Sequence, residues 1–255
     1  MMRKLFLSVV IVLVVLIVVA VIVMGFFLGT IVKTGMETVG PKIMQVSINV
    51  DAVNLSLLTG SARVKGLVVG NPEGYKAPQA ISVGSAAVGV NPFSVLSDKI
   101  VVRSVRVEAA EITFEGDLGG NNLSKIMDNV NAIAKSGGPA STNTTAKAGN
   151  EPGRKIEVDD FLITGAIVHV SLTGVSGKEM TLPLPDIHLT NLGKDNAGIT
   201  AADLTRRVLD AITTATIKAV ANNATDIGKG NGKAVSEGVN KITSGLGGLF
   251  KKSTN

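Results

Sequence analysis

Hydrophobic and polar positions alternate through most of the chain between residues 45 and 192. Val46, Ile48 and Val50, then Val53, Leu55 and Leu57, mark Gln45–Leu58 as a strand with one buried face, because successive side chains of an extended chain point to opposite sides. Thr59-Gly60 reads as a turn. Ala62–Val69 and Ile81–Val90 predict two further strands, separated by the breaker Asn71-Pro72-Glu73-Gly74. Ile100–Glu115 alternates over a longer stretch, and the jump from Val102 to Val105 predicts a bulge. Lys155–Leu172 and Met180–Leu192 are strand-like too. Pro183 and Pro185 remove ladder donors from the second, which predicts an edge or bent strand.

Two segments switch to helical spacing. Leu123, Ile126, Met127, Val130, Ile133 and Ala134 form one stripe, with Asn122 as its expected cap. Leu204, Val208, Ile212, Ala215 and Ala219 form another, opened by Thr200-Ala201-Ala202-Asp203, a capping box with Asp in place of Glu. Between the strand groups, 136–153 has almost no large apolar residue and predicts a flexible linker. A last stripe, Val235, Val239, Ile242, Leu246, Leu249 and Phe250, is flanked by Lys241, Lys251 and Lys252. That pairing predicts a helix lying in a membrane interface, with docking on the protein's own sheet as the even alternative.

The N-terminus follows neither period. Leu5–Val32 carries no charge and lies between Arg3-Lys4 and Lys33. The length and the basic tip predict an uncleaved signal anchor, with the N-terminus cytoplasmic and the body exported. This gives a cytoplasmic tip at 1–4, an anchor at 5–32, a β-rich unit with its closing helix at 33–135, the linker, a second β unit at 154–195 and a helical tail at 196–255. The expected class is α+β: a transmembrane helix, then a mainly antiparallel, repeat-like curved sheet covered by helices. The repeat lies at a shift of 56. Ile100, Val102, Val105, Val107 and Ala109-Ala110 fall on Ile156, Val158, Phe161, Ile163 and Gly165-Ala166.

Composition narrows the chemistry. The 255 residues include 29 Gly, no Cys, no Trp, one Tyr and two His, which excludes disulfides, thiolate sites and a multi-His metal centre. The net charge of +5 sits at the two ends, and a near-neutral body with few aromatics argues against nucleic acid as a partner. Asp186 and His188, or His169 with Ser171, lack a nucleophile elbow. Glu108 and Glu111, three apart in a strand, are expected on opposite faces and so form no carboxylate pair. The Gly-rich run Gly228–Lys233 fails the P-loop spacing and reads as a hinge. No catalytic residue, cofactor or metal is expected.

A set of ordered motifs adds a family. Leu57-Leu58-Thr59-Gly60, Gly66-Leu67-Val68-Val69, Asn71-Pro72-Glu73-Gly74-Tyr75, Val88 and Val90, Val95–Ile100, and Val105 through Ile112 to Glu115 follow one another as in the N-terminal region of the AsmA-like family of bacterial envelope proteins, which the chain resembles as a short member. The resemblance implies a non-enzymatic protein of the inner membrane with its body in the periplasm. It implies a role in outer-membrane biogenesis or lipid homeostasis, and a phospholipid or other envelope lipid as ligand along an apolar sheet face. The alternative is an envelope scaffold with a closed core and no ligand. Whether helices cover the apolar sheet face separates the two.

Overall fold

The computed structural model describes residues 2–56, 59–117, 120–135, 155–172, 180–194 and 198–227. A long helix α1 (Met2–Met44) leads into strands β1 (Ile48–Asn49), β2 (Ala52–Ser56), β3 (Ser61–Gly70) and β4 (Gln79–Val90). A 3₁₀ turn at Pro92–Leu96 precedes β5 (Lys99–Glu108) and β6 (Glu111–Gly116). Helix α2 (Asn122–Lys135) follows, then β7 (Lys155–Thr164), β8 (Ile167–Leu172), β9 (Met180–Pro183), β10 (Ile187–Leu192) and α3 (Ala201–Ile227).

All ten described strands belong to one sheet. They are best read as bent ribbons. β5 and β6 together run antiparallel to β4, β7 and β8 lie beside β5 and β6, and β10 and β9 close the edge beside β7 and β8. Each bend needs a backbone that leaves the pleat. Gly165 turns with φ +61, and Ala109, its partner in the repeat, adopts φ +50 despite its methyl group. The bulge expected near Val102 is present: β4 partners move from Gly89 to Val90 while β5 moves from Ser104 to Val102.

The sheet is mixed: most of its pairings are antiparallel, as expected, but two are parallel. β5 pairs with β7 and β6 with β8 in parallel, from Lys99 against Lys155 to Gly116 against Leu172. Every pair is offset by the 56 residues of the sequence repeat, so equivalent residues of the two units stack side by side. Parallel neighbours need a crossover connection. It runs from the end of β6 to the start of β7 and contains α2. Alternation alone reports a strand's buried face and is silent on the direction of its neighbour.

The expected membrane span at 5–32 is overturned as well. Among the described residues no helix is long and apolar enough to cross a membrane. The segment is not an element separate from the body: α1 continues unbroken to Met44 and its later turns lie against the sheet. Contact begins inside the expected span, where a Cβ on Gly25 would stand 2.8 Å from the Leu55 carbonyl oxygen. Farther along, Lys33 Nζ donates to the Asp51 carbonyl at 3.2 Å, and Glu37 accepts from the Val50 amide at 2.9 Å. Before this contact Ile11, Val12, Leu13, Val15 and Leu16 are exposed.

One sheet face carries the core. Ile112, Phe114, Val168 and Val170 meet Leu123, Ile126 and Val130 of α2 and Leu209, Ile212 and Val220 of α3 in a single cluster. α1 covers the β1–β2 side, and the Asn129 side chain ties α2 to the Met44 carbonyl at 3.1 Å. The caps follow physical chemistry, with one displacement. Thr200 Oγ accepts from the Asp203 amide at 3.0 Å, as its motif requires. The α2 cap is Asn121, whose Oδ1 accepts from the Ser124 amide at 2.9 Å, and not Asn122.

Candidate functional site

Asn122 was freed from capping for a different task. It is fully buried, and its amide donates to Asn71 Oδ1 at 2.8 Å and to the Thr113 carbonyl at 2.7 Å. Its Oδ1 accepts from the Glu115 amide at 3.0 Å. The Glu115 carboxylate accepts from the Lys76 amide at 2.7 Å, the Ala77 amide at 2.8 Å and Asn71 Nδ2 at 3.3 Å. The Asn71–Tyr75 motif and Glu115, 44 residues from Asn71, are thus joined in one network that pins the β3–β4 loop to β6. Burial first, then the charges of Glu115 and Asp117, raise the Tyr75 hydroxyl above its usual range. These groups are satisfied by one another, so the network is architecture.

The polar residues weighed as catalytic do not converge. His169 Nδ1 lies 3.2 Å from Thr181 Oγ, and its Nε2 is 3.7 Å from Glu111. His188 Nε2 meets Asp160 Oδ1 at 2.5 Å, and Arg106 bonds the other Asp160 oxygen. The His188 bond first, then the Arg106 bond, holds the Asp160 carboxyl below the usual carboxylate range. Glu108 and Glu111 both emerge exposed on the open side of the sheet. The expectation of opposite faces fails because the bend at Ala109-Ala110 resets the alternation: Val107, Ala110 and Ile112 are all core. Among the described residues no three acidic or histidine side chains are grouped to hold a metal ion.

The sheet's open face carries a trough of about 620 Å³. Its centre is a register row: Asn54 on β2 lies opposite Arg63 on β3, Arg63 opposite Ala87 on β4, and Ala87 opposite Arg106 on β5. The next row runs Ser56, Ser61, Gly89, Ser104, and Lys65 extends the β3 wall. Small residues on the central strand make the floor, and long basic ones on both sides make the walls. The sequence reading did not single out Arg63, Lys65 or Arg106. Their signal was only that alternate, open-side positions of two strands are basic while those of the strand between them are small.

The interfacial candidates Val235, Val239, Lys241, Ile242, Leu246, Leu249, Phe250, Lys251 and Lys252 lie outside the described residues, as do the linker at 136–153 and the Gly228–Lys233 hinge. No known protein family, curated protein or solved structure matches the chain.

Proposed function

We propose that the chain is a non-enzymatic binding scaffold with a closed core, and not a carrier of lipid along its apolar sheet face. The observation that carries this reading is the helical cover. Phe114, Ile112, Val168 and Val170, the centre of the apolar face, are at most 2% exposed beneath α2 and α3. An acyl chain can bind there only by displacing a helix that already buries the same surface. Removing α2 alone exposes Leu123, Ile126 and Val130 together with their partners, at roughly 2 kcal/mol for each large side chain returned to water. An envelope setting is supported by the ordered motifs between Val46 and Glu115, which resemble those of the AsmA-like family. The test is native mass spectrometry of the full chain extracted under mild conditions. The scaffold reading expects the bare protein mass. Stoichiometric phospholipid that survives extraction, and is lost when Val130→Phe fills the space beneath α2, would overturn it.

A further inference from the structure

The geometry points to the open-face trough as a binding site for a small soluble phosphate ester, gripped by Arg63, Lys65 and Arg106. This goes beyond the scaffold reading and uses the opposite side of the sheet.

Three observations carry it. The first is charge. Arg63, Lys65 and Arg106 line the trough, and its lining contains no carboxylate. The Arg63 and Lys65 side chains are exposed and, among the described residues, have no hydrogen-bonding or ionic partner. Two cations two positions apart on one strand face stand roughly 7 Å apart and repel each other unless an anion lies between them.

The second is preorganisation. Arg106 is already fixed: one guanidinium nitrogen is held by Asp160, and Nη1 donates to the Val105 carbonyl at 3.1 Å. A guanidinium has five N–H donors in a planar fork, so these bonds orient it and leave donors for a tetrahedral oxyanion. Arg63 and Arg106 flank Ala87 by direct register, which places their backbones roughly 9.5 Å apart, two strand spacings. Both side chains are long enough to meet above the Ala87 methyl. Asn54 and Ser104 add neutral donors on either side.

The third is shape. The volume falls within the range of about 300–1,000 Å³ found for small-molecule sites and far exceeds a bare phosphate. The floor of Ala87 and Gly89 offers the organic part of an ester a flat bed between the basic walls. A membrane headgroup plane is wide and meets only the rim of such a concavity, so a soluble ester fits it better.

Thermal unfolding of the full chain with glycerol 3-phosphate, against sodium chloride at matched ionic strength, tests the proposal. The melting temperature should rise with the ester and not with chloride, because a ligand that binds only the folded state stabilises it. The double change Arg63→Gln with Lys65→Gln should leave the ligand-free melting temperature in place, since both side chains are exposed. It should weaken ester binding at least about tenfold, the loss of two charge-assisted contacts. Ala87→Leu, which fills the floor without altering charge, should do the same. No response to the ester, an equal response to chloride, or a response that survives both variants overturns the site. Co-sedimentation with phosphatidylglycerol vesicles forms the second arm. Vesicle binding lost in the double variant, without any ester response, reassigns the trough to a membrane surface and refutes the soluble ligand.

Discussion

Replacing Asn122 by Ala tests the network that fastens the β3–β4 loop to the sheet. The change removes two donated bonds and one accepted bond, at 2.8, 2.7 and 3.0 Å, from a side chain that is fully buried. Each such bond contributes about 1 kcal/mol net, so the direct loss is about 3 kcal/mol. The Thr113 carbonyl and the Glu115 amide also lose their Asn122 partner. The expected total is about 3–4 kcal/mol, or roughly 6–15 °C in melting temperature for a domain of this size. Urea unfolding followed by far-ultraviolet circular dichroism measures it. A cycle with Asn71→Ala isolates the shared bond, and its coupling should be about 1 kcal/mol. Asn122→Asp should be worse than Asn122→Ala near neutral pH, because the new buried carboxylate faces two acceptors, and the gap should narrow as pH falls toward about 4, since burial makes this carboxyl protonate in the folded chain at higher pH than in the unfolded one. A loss under about 1 kcal/mol for Asn122→Ala, with no coupling to Asn71, would refute the claim that the network is architectural.

Four further outcomes follow from single groups. Thr216 Oγ is buried without a partner among the described residues, so the isosteric Thr216→Val should stabilise the fold by about 1 kcal/mol in the same urea assay, and a loss means that the hydroxyl is satisfied after all. Tyr75 is the single tyrosine, so its absorbance titration reads one group: the midpoint should lie above about 10 in the folded chain. Glu115→Gln should lower that midpoint only in part, since burial is the larger cause. Asp160 is held below the usual carboxylate range, so its stabilisation is present above the unfolded carboxyl value near about pH 4 and is lost as pH falls through the lower folded value. Asp160→Asn should therefore flatten the acid limb of stability against pH, and His188→Gln should do so in part. Ala109 sits at φ +50 where its repeat partner is Gly165 at φ +61. Ala109→Gly should gain up to about 1 kcal/mol, and Gly165→Ala should lose a similar amount although its Cβ would meet nothing nearer than 4.0 Å.

Much of the sheet was legible because it obeys the two-residue period. The strand reading of Ile81–Val90 overlaps β4, and the Lys155–Leu172 reading divides into β7 and β8 at the Gly165-Ala166 pair. What alternation could not convey was adjacency. Parallel pairing of β5 with β7 leaves each strand's own pattern unchanged, and only the 56-residue offset carried that information. The Asn121 cap and the buried Asn122 were beyond a local reading too, since either residue suits either role and the choice is made by Asn71, distant in sequence. The same reasoning explains Glu108 and Glu111, whose shared side depends on a positive φ at an alanine that no propensity marks.

The site was least legible of all, for a reason in the same physics. Arg63, Lys65 and Arg106 occupy open-side positions of their strands, where charged residues are expected on any solvated sheet face. Individually they carry no message. They acquire one only when register puts Arg63 and Arg106 on either side of Ala87, and register is a property of three strands at once. The two faces then divide the labour. The centre of the apolar face meets the helices and is buried by them. The polar face has no covering element among the described residues, and its small-residue floor leaves a concavity that the strand positions alone do not require. A larger side chain at 87 would be tolerated by the fold, because Ala87 is exposed. Ala87→Leu therefore separates the two demands on the sheet: it should leave stability unchanged while closing the trough.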